Sequence, residues 1–418
     1  MDSVCDIPSG LLPLEEAESR LLASIVPVER LIKVGVEASL GCILESDLVT
    51  ALDFPPFSNA AMDGYAVRST EALPDARLRM VGTILAGQAP TVILRSGECI
   101  RIFTGAPMPE GADAVVVQER VSQDGAEIRL EIERPAKAGE NVRFQGEELA
   151  SGEILLVAGS RIGPYEQGLL AYAGMTEITV RDRLRIGVMA TGDELVPLGE
   201  PLGVGQIYES NRPVLLGLIQ EMGHQTVDLG TVPDDMGALR QILTKESPKL
   251  DAIITTGGAS EGDADFIAKI LAEMGRVCFW KVAIKPGKPF VFGNLGTVPV
   301  FGLPGNPVSS AIIFLKLVRP AIEKLSGQRP TRPVIWRLPL LSSIQRQPGR
   351  KEYVRARLVN RAGGPAVMPL KHQGSHRLTS LHQGDCLIVV SPEDRILEEG
   401  TLVDVELFRA VNWSWDKE

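Results

Sequence analysis

Apolar and polar residues alternate with more than one period along this chain, and the changes of period divide it. Leu14, Ala17, Leu21 and Ile25 fall on one face at helical spacing, with Pro13 near the start, which predicts an amphipathic helix over 13–25. From about residue 75 to 158 the pattern shortens to the runs RLRMVGTI, ECIRIF, AVVVQE and AEIRLEI, separated by Gly, Pro and Asp, which predicts a β-rich unit. A helix predicted over 164–173 ends at Gly174, a residue suited to the left-handed position after a helix, and the strand-like run EITV follows at 177–180.

At Arg183 the pattern becomes strand, helix, strand. The apolar run RIGVMA (185–190) precedes a helix opened by Ser210 or Asn211 and closed by Gly223, with Val214, Leu215, Leu218, Ile219 and Met222 on one stripe. TVDLG follows, then a helix begun by Asp234 and Asp235, the run AIITT (252–256) and a helix ending at Gly275. FVFG, VPVFG and a helix from Pro307 complete the series. This alternation predicts a mostly parallel sheet with helices on both faces, whose ligands sit at the carboxyl ends of its strands. Beyond the linker-like SGQRPTRP (326–333), the runs WRLPL, YVRARLV, CLIVV and LVDVELF predict a small C-terminal β-barrel or sandwich. The fold class is a multidomain α/β plus β protein.

Composition narrows the function. Of 418 residues 44% are hydrophobic and 23% charged, which supplies packed cores and argues against disorder. Lys+Arg 43 against Asp+Glu 53 leaves a net charge of −10, the wrong sign for a general nucleic-acid binder. An anionic ligand must therefore be caught by a local cluster. Cys5, Cys42, Cys99, Cys278 and Cys386 show neither zinc nor redox spacing, as expected of free thiols in a reducing compartment. The start lacks a basic segment followed by an apolar one, and the most apolar stretch, 298–318, is interrupted by Pro304, Asn306, Ser309, Ser310 and Lys316. The expectation is a soluble, cytoplasmic protein with no membrane span.

The unusual residues of the α/β region follow its strands. RIGVMA leads into Thr191-Gly192-Asp193-Glu194-Leu195, AIITT into Gly257-Gly258-Ala259-Ser260-Glu261-Gly262-Asp263-Ala264-Asp265, and VPVFG into Leu303-Pro304-Gly305-Asn306-Pro307. One such loop is usually only a tight turn; three at one sheet end point to a site where backbone N–H groups approach an anion. The nearby carboxylates Asp193, Glu194, Asp234, Glu261, Asp263 and Asp265 suit Mg²⁺, which shares oxygen ligands with phosphates. Helix capping is the competing role, and Asp234 and Asp263 are well placed for it. Asp193, Glu194 and Asp265 are the stronger metal candidates. The run WKVAIKPGKPF (280–290) brings Lys281, Lys285 and Lys288 together; even spacing puts Lys281 and Lys285 on one face, where two ammonium groups would hold phosphate or an oxyanion such as molybdate. The chain has no Walker loop, His-Glu-x-x-His or Gly-x-Ser-x-Gly, and His224, His372, His376 and His382 match no zinc signature.

PPFSNAAMDGYAV, FTGAPMPEGADAVVVQE, TGDEL, IYESNRP, GGASEGDADF, WKVAIKPGKP and FGLPGNPVSS occur in that order, and through them the chain resembles the molybdopterin molybdenumtransferase family, the bacterial MoeA proteins and the C-terminal part of gephyrin. The resemblance implies four domains in an elongated dimer: a composite domain from 1–50 and 147–182, an inserted β domain at 51–146, a molybdopterin-binding α/β domain at 183–328 and a C-terminal β-barrel at 329–418. It implies insertion of molybdenum from molybdate into adenylylated molybdopterin with release of AMP, assisted by Mg²⁺, with a molybdopterin adenylyltransferase as upstream partner. Lys281 and Lys285 resemble the family's oxyanion lysines, and Asp193, Glu194 and Asp265 its metal- and pyrophosphate-handling carboxylates, with Asp234 beside them. Asp63 and Thr104 resemble residues that act from the partner subunit of the homodimer. Thr191, Gly192, Asn211, Gly257, Gly258, Ser260, Lys288, Pro304, Gly305, Asn306 and Ser375 would line the pterin and phosphate pocket.

The chain departs from the family pattern at Gly146-Glu147-Glu148, where Gly-Glu-Asp is usual, and at Gly374-Ser375-His376, where Gly-Ser-Gly is common. Other expectations compete with this enzyme: a scaffold of the gephyrin type, a tungstate-specific member, and a nucleotide hydrolase built on a similar α/β domain. The β insertion carrying MDGYA and TGAPMP argues against the last, and retention of the charged set argues against a pure scaffold.

Overall fold

Arg185–Thr191 is apolar along its length because it is covered on both sides: Ile186, Val188 and Met189 have no solvent exposure. The computed structural model describes residues 10–257 and 266–410, and this strand lies at the heart of the larger of two compact units. That unit contains the described parts of 1–45, 159–163 and 178–418. Its main sheet has six strands: β1 (Arg185–Thr191), β2 (Gln225–Val232), β3 (Ala252–Thr256), β4 (Arg276–Lys281), β5 (Pro289–Leu295) and β6 (Val298–Leu303). They run in the order β2-β1-β3-β6-β5-β4.

β2, β1, β3 and β6 are parallel to one another, as the strand–helix alternation predicts. β5 pairs antiparallel with both β6 and β4. The reason is the connection. Leu295 pairs with Val298, so only Gly296 and Thr297 join β5 to β6, a hairpin length with no room for a crossover helix, and Gly296 supplies φ +61°.

The alternation of side chains along each strand feeds two cores. Ile186 and Val188 of β1, Ala252 and Ile254 of β3, and Phe290 and Phe292 of β5 face a core with Leu14 and Leu21 of the N-terminal helix Leu14–Ser24, and with Leu215, Ile219 and Ile312. Met189, Ile253 and Val291 face the opposite core, with Leu239, Leu243, Ile267 and Ile270. Helices Asn211–Glu221 and Pro307–Ile313 thus cover one face, and Met236–Glu246 and Phe266–Met274 the other. Truncating Ile253 or Ile254 to Ala would cost about 2–5 kcal/mol, because each is fully buried.

A second sheet in this unit runs Ile284–Lys285, Lys351–Val359, Cys386–Val390, Leu402–Leu407, Ile335–Pro339, with Ala366–Pro369 beside Lys351–Val359. Its first strand belongs to the connection between β4 and β5, so the α/β layer and the C-terminal strands share hydrogen bonds. A parallel bridge from Leu340 to Val367 relates its far edge to Ala366–Pro369. A small sheet of Leu31–Gly35, Glu177–Arg181 and Ile43–Leu44 brings the N-terminal segment beside residues near 180.

The other unit, 46–158 with 164–177, holds a six-stranded sheet in the order Ala114–Val117, Gly64–Val67, Glu98–Ile102, Arg77–Ile84, Glu127–Leu130, Val121–Asp124. Four of these are the runs the alternating pattern marks; Val121–Asp124 is not among them, and Gly64–Val67 is a strand where the apolar, aperiodic segment 51–66 reads as a loop, because it pairs with strands on both sides, Tyr65 and Val67 feeding one core and Ala66 another. Pro164–Tyr172 is helical and Gly174 follows at φ +71°. Among the described residues no helix is long and apolar enough to cross a membrane.

Candidate active site

The loops that leave β1, β3 and β6 meet at one end of the sheet around a cavity of about 260 Å³. Thr191, Gly192, Glu194, Asp234, Thr256, Gly257 and Gly305 line it, with Tyr208 and Asn211 from the segment that enters helix Asn211–Glu221. Asn211 ties the loops together. Its Nδ2 donates to Gly305 O at 2.7 Å and to Thr256 Oγ1 at 2.8 Å, and Thr256 Oγ1 donates to Pro304 O at 3.1 Å. The side chain of Glu209 fixes that helix start by accepting from the N–H groups of Asn211 (2.6 Å) and Arg212 (2.9 Å). The sequence assigns the helix start to Ser210 or Asn211; the oxygen that caps it comes from Glu209. Gly257 has no alternative at its position: at φ +86° a Cβ would stand 2.1 Å from Thr191 O.

Asp193 and Glu194 are exposed at the mouth, and Asp193 Oδ1 accepts from the backbone N–H of Asp234 at 3.1 Å. Asp235, not Asp234, caps helix Met236–Glu246, its Oδ1 accepting from Ala238 N at 2.7 Å. That leaves the Asp234 carboxyl to the cavity. Burial, then the neighbouring Asp193 and Glu194 carboxylates, push it above the usual aspartate range, and the Thr191 hydroxyl offsets part of this. Asp234 Oδ1 and Thr191 Oγ1 are buried side by side, and apart from each other neither meets a hydrogen-bond partner. Hard oxygen donors, mutual repulsion and an orphaned carboxylate oxygen fit a divalent cation of the Mg²⁺ type. Among the described residues no three His, Cys, Asp or Glu side chains converge into a complete metal cage. Gly258, Ser260 and Asp265, with Glu261 and Asp263, lie outside the described residues.

The lysine run leaves β4 and crosses to the C-terminal sheet. Exposure alternates along it: Val282 and Ile284 are fully buried while Lys281, Ala283 and Lys285 are half-exposed, which fits the even spacing expected of Lys281 and Lys285. Leu12 N donates to Lys281 O and Ala283 N to Leu12 O, at 3.1 and 2.7 Å, and Val282 N donates to Lys288 O at 3.1 Å. Lys285 Nζ lies 3.0 Å from Glu352 Oε1. The lysines do not line the 260 Å³ cavity; the loop that carries them packs against the helix that closes it, since a Cβ on Gly287 would meet Ile313 at 2.8 Å.

Ser375 sits at the start of that same helix. Asn306 is its N-cap residue, Pro307 its first residue, and Val308 N donates to Ser375 O at 3.0 Å. Behind Ser375 lies Arg355, 1% exposed, whose Nε donates to Ser380 Oγ at 3.2 Å and Nη2 to Gly374 O at 3.3 Å. Burial pulls its guanidinium down to about 10, and the charge of Glu352 offsets part of this. Sequence reasoning missed Arg355. Its signal, an arginine inside the apolar run YVRARLV, is easily read as the outward face of a strand. His376, one of the departures from the family pattern, is exposed.

Asp63 and Thr104 are brought together in the other compact unit. Thr104 donates to Asp63 Oδ1 through both its backbone N–H (2.8 Å) and its hydroxyl (2.7 Å). The N–H, then the hydroxyl, hold the Asp63 carboxyl below the usual aspartate range, and Arg101 adds positive charge nearby. Arg101 itself stacks over Tyr65 and Phe103, at 4.9 and 5.1 Å from their ring centres. In the same unit Glu147 Oε2 accepts from Phe144 N at 2.7 Å, while Glu148, the residue that departs from the family pattern, is exposed.

Comparison with known proteins finds three family descriptions in sequence: the MoeA N-terminal region (domain I and II) over 12–174, a probable molybdopterin binding domain over 187–324, and the MoeA C-terminal region (domain IV) over 337–408. The chain is 35% identical over 402 residues to a molybdopterin molybdenumtransferase of Haemophilus influenzae, covering 95% of this chain and 99% of that one. It is 34% identical over 406 residues to molybdopterin molybdenumtransferase 2 of Mycobacterium tuberculosis, covering 93% and 98%. The crystal structure of a molybdopterin biosynthesis moeA protein from Pyrococcus horikoshii superposes with a TM-score of 0.83 at 29% identity, covering 96% of this chain and all of that one.

Proposed function

The chain belongs to the MoeA family, and on that premise we propose that it is a molybdopterin molybdenumtransferase of molybdenum cofactor biosynthesis. It inserts molybdenum from molybdate into adenylylated molybdopterin and releases AMP. The observation that carries this reading is the joining of the β1, β3 and β6 loops by Asn211 into one polar cavity at the carboxyl ends of the sheet.

The roles follow from charge and position. Thr191, Gly192, Asn211, Gly257, Pro304, Gly305 and Asn306 form the pterin and phosphate wall, and family resemblance assigns Gly258, Ser260, Lys288 and Ser375 to the same ligand. Lys281 and Lys285 attract molybdate, a dianion that would otherwise be repelled by the substrate's phosphates. Asp193, Glu194 and Asp234, with Asp265, are the residues that would hold Mg²⁺. When bound, the ion offsets phosphate charge at the bond broken as AMP leaves. The Asp234 carboxyl is raised by burial and by its acidic neighbours, so its charged form gains from a cation.

Family resemblance supports the finer points: a homodimer in which Asp63 and Thr104 of one chain complete the site of the other, and four domains at 1–50 with 147–182, 51–146, 183–328 and 329–418, the last a small β-barrel. It also supports delivery of substrate by a molybdopterin adenylyltransferase and a cytoplasmic location. The test is the product. The protein is incubated with adenylylated molybdopterin, molybdate and Mg²⁺, the pterin is separated, and its molybdenum is measured. One metal per pterin is expected; a metal-free pterin from folded protein contradicts the assignment.

A further inference from the structure

Lys285 is placed by a strand that lies far from it in sequence. Ile284–Lys285 runs parallel to Lys351–Val359, with Ile284 opposite Lys351 and Lys285 opposite Glu352. Residues opposite each other in a ladder project to the same side, so the backbone pairing alone brings the ammonium beside the carboxylate. The pair has a buried end and an open end: the Glu352 side chain is 9% exposed and that of Lys285 43%.

Glu352 is itself fixed. Its second oxygen, Oε2, lies 3.1 Å from Arg346 Nε, and the Arg346 side chain is only 3% exposed. Arg346 has no freedom to swing away, because its N–H groups are engaged by main-chain carbonyls. Nε donates to Gln347 O at 3.2 Å, Nη1 to Ser391 O at 2.8 Å, and Nη2 to Arg350 O. A rigid guanidinium therefore backs a buried carboxylate through charge and not through a hydrogen bond, and the carboxylate in turn faces a lysine that reaches solvent.

We propose that Glu352 is a positioning residue for Lys285. Pinned by Arg346, its carboxylate restricts the lysine to the conformations that present the ammonium to the tetrahedral oxyanion, and it does not itself touch the substrate. The inference rests on the oxyanion-binding role given to Lys285 above. The physical gain is preorganisation: a free lysine has a long flexible stem whose rotamers must be frozen when an anion binds, and a lysine already held loses less. The Lys285 end of the pair is half-exposed and adds little to fold stability, whereas Arg346 behind it is buried and depends on the same carboxylate, so the diagnostic effect is the one on molybdate binding and not the one on melting.

The test measures initial rates of AMP release at saturating adenylylated molybdopterin with molybdate varied, for the parent chain, Glu352→Gln, Lys285→Ala and the double variant, with melting curves recorded for each. Glu352→Gln keeps the shape and removes the charge. It is expected to raise the KM for molybdate about tenfold and to leave the KM for the pterin near its parental value, while the melting midpoint falls because buried Arg346 loses its facing charge. The double variant is expected to have a KM for molybdate no worse than that of Lys285→Ala alone, because the carboxylate acts on the anion only through the lysine. An unchanged or lowered KM for molybdate in Glu352→Gln, or effects that add, overturns the inference while leaving the role of Lys285 standing. If Lys285→Ala itself leaves the molybdate dependence unchanged, the role of Lys285 falls and the inference with it. Should Glu352→Gln fail to fold, Glu352→Asp, which keeps the charge but shortens the reach, carries the same expected rise, and an unchanged KM overturns the inference.

Discussion

The side-chain amide of Asn211 donates to the carbonyl oxygen of Gly305 at 2.7 Å, linking the start of one helix to the loop before another. The same nitrogen donates to Thr256 Oγ1, so one 9%-exposed residue holds the ends of β3 and β6 against the entry of helix Asn211–Glu221. Replacing it with Leu removes both bonds and leaves the Gly305 carbonyl without this donor. Asn211→Leu is expected to destabilise the larger unit by about 1–3 kcal/mol. It should also weaken binding of adenylylated molybdopterin. Urea denaturation followed on that unit, with a pterin-binding titration, checks both effects; parental behaviour in both would remove Asn211 from the site.

Asp234 gives a pH signature. Its carboxyl is raised by burial and by Asp193 and Glu194, so the folded chain holds this proton more tightly than the unfolded chain. Its contribution to stability is present below the ordinary aspartate pKa of 3.8 and is lost as pH rises through the raised folded value. Asp234→Asn mimics the protonated form. At neutral pH without Mg²⁺ the variant is expected to melt higher than the parent, and the gap should close near pH 4 or below, by about one titration step. Added Mg²⁺ should raise the parent's melting temperature more than the variant's. A gap that does not depend on pH would show that repulsion at this cluster is not what the substitution relieves.

Much of this was legible in the chain's own pattern. AIITT marks β3 at its observed limits, RLRMVGTI marks Arg77–Ile84, and each glycine-rich turn falls at a strand end, because strand period and turn chemistry are local properties. Relations between distant segments were not legible. Glu352 meets Lys285 through a ladder between different layers. Arg355 was hidden for the same reason: an arginine in a strand is ordinary until its burial beside Gly374 and Ser380 is known. Two local choices were not settled by pattern either: the helix opens at Ser210 and Asn211 as read but takes its capping oxygen from Glu209, and Asp235, not Asp234, caps the next helix.

Lys316 and Glu406 form an ion pair with side chains only 12% and 9% exposed, and the lysine lies 4.7 Å over the ring of Tyr353. Removing one partner strands the other charge. Lys316→Met is expected to cost about 3–5 kcal/mol, whereas Lys316→Met with Glu406→Leu should recover much of the loss. Urea midpoints of the two variants decide it: a double variant as unstable as the single would mean that packing, and not the orphaned carboxylate, sets the cost.

Asp63 with Thr104, and Lys285 with Glu352, occupy different compact units. If each active site of the proposed homodimer draws on both chains, Asp63→Asn and Lys285→Ala, assayed at molybdate near the parental KM, should each be strongly impaired alone and complement when mixed. Random exchange makes about half the dimers mixed, each with one intact site, so about a quarter of parental activity is expected. Demonstrated subunit exchange with no recovery would place all these residues within one chain's site.

The most direct test of the whole account is single-turnover AMP release from adenylylated molybdopterin, with Mg²⁺ fixed and molybdate titrated against the intact protein. The expected result is a release rate that rises with molybdate and saturates, with one AMP for each pterin that gains a metal. AMP release that is equally fast without molybdate would make the cavity that of a simple nucleotide hydrolase, and no release by a folded protein would leave it a binding site without this chemistry.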